Sequence, residues 1–154
     1  MPVSPTLQKF LNRGDIPYRL IRHPYTETSL SAALAAQVPV RQMAKGVVLN
    51  DDEGFMMAVV PSDRRVDLYA INQQLGRVFS PAAQQDVKIL FGDCTKGAVP
   101  ALGQAYNMPV IWDDHLAHEP DCYMEAGDHQ ELLCFSQSTF KQVMSEKPHG
   151  MISH

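Results

Sequence analysis

Cysteine is scarce in this chain: Cys94, Cys122 and Cys134 are odd in number, widely spaced and without a CxxC pair. That excludes a small disulfide-stapled scaffold and fits a protein of a reducing cytoplasm. Long apolar runs are missing too. Stretches such as Phe55 to Val60 fall far short of the roughly 20 residues a bilayer requires, and the opening MPVSPTLQKF lacks the basic flank and apolar block of an export signal. No membrane partner is expected. Positive charge is not in surplus, since the formal net charge is −4, which argues against binding nucleic acid through general phosphate contacts. The charge is uneven, however. Residues 1–77 carry nine Lys/Arg against seven Asp/Glu, and residues 78–154 carry four against ten, an imbalance that fits either a solvated mix of charges or a local basic surface on the first half.

What the sequence does contain is ordinary for a folded protein. With 154 residues, 45% hydrophobic and 19% charged, it has the length of one domain with one core. No repeat or low-complexity linker interrupts it. The expected division is a single domain over residues 1–147 and a flexible tail over 148–154.

Local signals order the elements. Ser4-Pro5 followed by Leu7, Phe10, Leu11 and Gly14 supplies a cap, a first-turn proline, a helical stripe and a stop. Pro17 to Arg22 reads as a strand, Thr28 to Gln37 as a small-residue helix closed by Pro39, and Val47–Leu49 with Phe55–Val60 as a hairpin around Asn50 to Gly54. A helix is expected over Asp67 to Leu75, and another from Ser80-Pro81 to about Leu90. The Gly97–Pro109 segment reads as a loop feeding a strand at Val110-Ile111-Trp112. Strands Cys122–Ala126 and Glu131–Phe135 flank a turn, and a last helix runs from Ser136 or Ser138 to Met144, after which the chain frays. Strands and helices do not alternate regularly, so the class is α+β: a mixed, mainly antiparallel sheet, partly open and barrel-like, flanked by helices.

Three segments carry candidate chemistry. Lys45 stands at the mouth of the apolar strand Val47-Val48-Leu49, where an ammonium can face a phosphate or a developing oxyanion, or simply snorkel to water. The run Gly97-Ala98-Val99-Pro100-Ala101-Leu102-Gly103 has glycines that let backbone groups approach a ligand and a proline that stiffens the loop, features shared with plain connections. Gly127-Asp128-His129 forms a turn whose histidine can exchange a proton near neutral pH. Two other hydrolytic arrangements use the same residue types. One is a cysteine nucleophile, Cys94 with His129 and Asp93 or Asp128. The other is a metal site from His115, His118 and His129 with Asp113 or Asp114, whose His-x-x-His spacing matches HExxH poorly.

Taken together, the stretches HPYTET (23–28), VPVRQMAKGVVL (38–49), MMAVVPSDRRVDL (56–68), DCTKGAVPALG (93–103) and EAGDHQELL (125–133) resemble the YbaK/prolyl-tRNA-synthetase-associated (ProX-like) editing domain family over nearly the whole chain. The resemblance implies that family's fold and a cytoplasmic aminoacyl-tRNA deacylase acting on a small amino acid, without cofactor or metal. Its partners would be the acceptor end of an aminoacyl-tRNA and an aminoacyl-tRNA synthetase. It implies Lys45, Gly97 and His129 as catalytic residues, and His23, Pro24, Gly46, Ala98, Val99, Pro100, Ala101, Gly127 and Asp128 as substrate-binding residues. Hydrolysis in such enzymes uses a water held by loop backbone groups, helped by a hydroxyl of the terminal ribose. Lys45 would anchor the terminal phosphate or ribose, the Gly97 loop would grip ester and water, and His129 would shape the pocket. Gly46 and Ala101 stand where relatives often carry a hydroxylated or amide residue and a second proline, departures that bear on which amino acid fits. A noncatalytic module that holds tRNA ends or docks on a synthetase is the rival from another class.

Overall fold

The computed structural model describes residues 3–154. Helix ends fall where side chains can satisfy the first free N–H groups, each such cap contributing about 1 kcal/mol. Helix α1 (Pro5–Arg13) is capped by Ser4, which accepts from the Leu7 N–H, and it buries Leu7 and Leu11. Helix α2 (Ser29–Ala35) is capped by Thr28 through the Ser31 N–H. Helix α3 (Leu68–Leu75) is capped by Asp67 through the Ala70 N–H and stopped by Gly76 in the left-handed conformation. Helix α4 spans Gln84–Leu90, and α5 (Gln137–Val143) is capped by Ser136 through the Thr139 N–H.

The strands form two sheets. The larger is β4 (Ser80–Pro81), β2 (Ala44–Asp51), β3 (Gly54–Pro61), β5 (Val110–Asp113) and β8 (His149–Gly150), in that spatial order. It is antiparallel from β4 to β3 and parallel from β3 to β8. The smaller is antiparallel: β1 (Arg19–Arg22), β7 (Glu131–Ser136) and β6 (Asp121–Glu125). A parallel bridge from Met43 to Tyr123 joins them. The class is α+β as expected, and the strands do not close into a barrel. The main core lies between the sheets and α1 and α5, gathering Leu7, Leu11, Met57, Met124, Phe135 and Phe140. A second core under α3 holds Ile71, Leu49, Ile111 and Ile152.

Two expectations need correction. Ser80-Pro81 does not open a helix. These residues pair with Asn50 and Leu49, the Phe79 N–H goes to Asn72 Oδ1, the Ala82 N–H goes to the Val48 carbonyl, and α4 begins only after Ala83. Burial of Phe79 draws this segment along the sheet edge before a helix can start. Nor do residues 148–154 fray. His149 and Gly150 pair with Trp112 and Asp113, Ile152 is fully buried, and Arg65 and His154 exchange two backbone hydrogen bonds of 2.8 Å. The cause is Asp113, a buried carboxylate that needs donors. It receives them from the Ile152 N–H (3.1 Å), the Ser153 hydroxyl (2.7 Å) and the His115 N–H (2.8 Å).

Candidate active site

The two sheets and α4 leave between them a cavity of about 290 Å³. Strand β2 supplies Lys45 and Gly46 to its wall, the loop after α4 supplies Gly97 and Val99, and the end of β6 supplies Glu125. The Lys45 stem runs beside β3, and its Nζ donates a long hydrogen bond of 3.4 Å to the Ser62 carbonyl. An ammonium has three donors, so the others remain for a ligand. Burial holds this ammonium below the usual lysine range, with Asp63 partly offsetting the effect and Arg65 adding to it.

The loop is shaped by its own backbone and by His129. Gly97 has φ +82°, a left-handed conformation, and a Cβ there would lie 3.4 Å from the His129 ring and 3.5 Å from the Glu27 carbonyl. The Thr95 N–H donates to the Gly127 carbonyl at 2.8 Å and the Ala98 N–H to the Thr95 carbonyl at 2.9 Å, which ties the loop to the β6–β7 turn. His129 is buried, 1% exposed, and makes two ring contacts: Nε2 with the Lys96 carbonyl at 2.5 Å and Nδ1 with Glu125 Oε2 at 3.0 Å. A carbonyl only accepts, so Nε2 carries a hydrogen, and the Nδ1–Oε2 contact is made through a proton between imidazole and carboxyl.

Glu125 was not among the residues singled out from the sequence. Only 2% exposed, it uses Oε2 for His129, while Oε1 has no hydrogen-bond partner among the described residues. Burial raises its carboxyl to about 7, with His129 pulling the other way and Asp128 adding a small further rise. A sequence signal existed: one acidic residue ends the apolar run Cys122-Tyr123-Met124 directly before the glycine turn.

The other predicted residues divide. Lys45, Gly46, Gly97 and Val99 meet at the cavity. Ala98, Pro100 and Ala101 are buried in the loop's underside, away from the cavity wall. Asp128 is a turn cap that accepts the Gln130 and Glu131 N–H groups at 2.9 Å each. Gly127, at φ +119°, lies against Ser4, where a Cβ would come within 3.1 Å of the Ser4 Cβ. His23 donates its backbone N–H to the Gln130 carbonyl and places Nδ1 2.7 Å from the Pro24 carbonyl, so these two residues form a strap beside the turn. His129 stands behind the loop, in contact with the Lys96 carbonyl and with Glu125 of the cavity wall.

The rival constellations are not assembled. Cys94 Sγ lies 3.2 Å from the Tyr106 hydroxyl, both hydrogen-bonded ring nitrogens of His129 face other partners, and burial pushes the thiol up to about 11, far from a ready thiolate. His115 sits on Asp113 and His118 is exposed on the same short turn. Among the described residues the metal-type grouping is Asp51, Asp52 and Glu53, on the hairpin turn rather than at the histidines.

With this geometry in hand, comparison with known proteins places the fold and the family. The sequence profile of the aminoacyl-tRNA editing domain matches residues 23–142, and the chain belongs to that family. The fold is shared with the hypothetical protein APE2540, at 21% identity over 97% of this chain and 99% of that one, with a TM-score of 0.85. It is shared also with a proposed trans-editing enzyme for prolyl tRNA synthetase (22% identity, 99% of both chains, TM-score 0.82). A third similar structure is a signal-transduction protein, so described provisionally, from Marinobacter aquaeolei VT8 (18% identity, 96% of this chain, 30% of that chain, TM-score 0.79). No curated protein matches the chain. No helix among the described residues is long and apolar enough to cross a membrane.

Proposed function

We propose that the protein is an aminoacyl-tRNA deacylase that hydrolyses the ester between a small amino acid and the terminal ribose of a mischarged tRNA, acting in trans and without a metal. The observation that carries this reading is the meeting of Lys45 and the Gly97 loop at one cavity. An aminoacyl ester is already activated, so orientation of a water and stabilisation of the tetrahedral oxyanion supply most of what catalysis requires. Lys45 anchors the terminal phosphate or ribose, and the loop backbone holds the ester and its water. At about 290 Å³, walled by Val47, Val48, Val87 and Val99, the cavity is at the small end of the roughly 300–1,000 Å³ of ligand pockets, which supports a small side chain.

The test is hydrolysis of a panel of tRNAs carrying alanine, serine, threonine, cysteine or proline, in chelator, by wild type and Lys45→Ala. Release of one or two of these amino acids by wild type and none by the variant is the expected result. Binding of tRNA without release by wild type replaces this reading with a noncatalytic acceptor-end module, and loss of release on chelation removes the metal-free part.

A further inference from the structure

The cavity contains a feature that holding an ester and a water leaves unexplained. Glu125 Oε1 is buried, belongs to a cavity-lining residue and has no hydrogen-bond partner among the described residues. A buried carboxylate oxygen without a donor is costly unless a ligand supplies one. Which of its two oxygens is left unpaired is not incidental. The Lys96 carbonyl holds His129 through Nε2, and His129 in turn engages Oε2, so Oε1 is the oxygen left free.

Charge narrows what the ligand must be. Lys45 and Glu125 give the cavity wall one cationic and one acidic group, and Val47, Val48, Pro81 and Ala82 add apolar surface. An aminoacylated nucleotide end carries the matching pair: a phosphate and, on the other side of the ester, an α-ammonium with three N–H donors. We propose that Glu125 Oε1 receives that α-ammonium group, making Glu125 the residue that distinguishes aminoacyl esters from acyl esters lacking a cationic amine. This rests on the deacylase reading and narrows its substrate class. The charged groups around the site are His129 on the same turn, Asp128 beside it, and Lys45 across the cavity from β2. An arriving ammonium favours the ionised carboxylate, and the proton shared with His129 then rests on Nδ1, which keeps the Nδ1–Oε2 hydrogen bond.

The test compares the aminoacyl-tRNA that wild type cleaves best with its deaminated α-hydroxyacyl counterpart, which has nearly the same shape but no cation. Each rate is divided by the uncatalysed rate in the same buffer, because the ammonium itself activates an ester. Wild type should prefer the aminoacyl form by on the order of 10²-fold, the loss expected when a charged hydrogen-bonding group is left unpaired. Glu125→Gln, checked for folding by its melting curve, should reduce that preference to a few-fold and act mainly by raising KM. A corrected preference near one in wild type overturns the assignment, and this holds even if the variant fails to fold. So does an undiminished preference in folded Glu125→Gln, or a collapse of kcat at unchanged KM, which would mark Glu125 as a proton-transfer group instead. If wild type cleaves no aminoacyl-tRNA at all, the deacylase reading itself has failed.

Discussion

The sulfur of Met57 occupies the space that any side chain at position 46 would need: a Cβ on Gly46 would fall 2.6 Å from Met57 Sδ and 2.9 Å from its Cε. The two residues lie diagonally across the β2–β3 pair, with Gly46 opposite Val59 and Met57 opposite Val48. Met57 is fully buried, and Gly46 lines the cavity next to Lys45. The glycine after the lysine is thus paired with a methionine that fills the vacated volume from the neighbouring strand.

Gly46→Ser should therefore destabilise the protein by about 1–3 kcal/mol, the usual cost of overpacking a filled core. Met57 is flexible, so part of the strain is relieved by movement of its thioether. The same substitution placed on Met57→Ala should cost distinctly less, because the two sites share one volume. Urea unfolding of the four proteins measures this coupling, and an equal cost of Gly46→Ser in both backgrounds would refute it.

How far the sequence disclosed this structure can be judged from such pairs. The α+β class, the hairpin, the cap at Ser4, the helices expected from about Thr28 and Asp67 and the last helix were legible because they rest on local signals. The helix start at Ser80-Pro81 was misread because sheet pairing with Leu49 and Asn50 overrides a serine–proline cap. The C-terminal residues were misread because their partner, Asp113, is some forty positions away and no local pattern reveals a buried carboxylate in need of donors. Within the candidate site, Lys45 and Gly97 were legible as a strand-end cation and a glycine–proline loop and again through the resemblance, whereas Glu125 offered only one acid at the end of an apolar run, and its unpaired oxygen shows only in three dimensions.

The segment that brings Pro81 and Ala82 to the cavity is pinned by an ion pair at the hairpin turn. Arg77 contacts Asp51 through Nε at 2.6 Å and Nη2 at 2.5 Å, and its guanidinium lies 4.4 Å over the Phe79 ring. The Arg77 hydrogen bonds hold the Asp51 carboxyl down to about 2, against the opposing effect of burial. A carboxyl whose folded value is depressed stabilises the fold above its unfolded value, and that contribution is lost as pH falls through the folded one. Thermal unfolding from about pH 5 to about pH 2 should thus show a steeper loss for wild type than for Asp51→Asn, which is also the less stable protein at neutral pH. Parallel curves for the two proteins would show that the pair contributes nothing to acid sensitivity.

Cys94 provides a negative test of the chemistry. Its thiol contacts the Tyr106 hydroxyl at 3.2 Å and its carboxylate neighbour Asp93 at 3.6 Å, and its raised value leaves little thiolate at neutral pH. Cys94→Ala should retain deacylation within about threefold, since no reacting bond passes through the sulfur. It should lose some stability through the contact with Tyr106. Abolished turnover in a variant that still melts cooperatively would restore the cysteine-nucleophile reading.

Gly97 faces the opposite demand, because in the proposed mechanism the backbone itself holds the ester and its water. At φ +82° an alanine is strained whatever the surrounding space, although its Cβ would meet the His129 ring at 3.4 Å and the Glu27 carbonyl at 3.5 Å in ordinary van der Waals contact. The loop can relieve this by rotating its peptide groups, which would turn them away from the cavity they share with Lys45. Gly97→Ala should lower kcat by on the order of 10²–10³-fold, the cost of losing one preorganised donor, while stability falls by only about 1–3 kcal/mol. Single-turnover deacylation and urea unfolding on the same preparation separate the two effects. A variant that loses stability but keeps wild-type kcat would mean that the loop is a connection whose backbone never touches the ester.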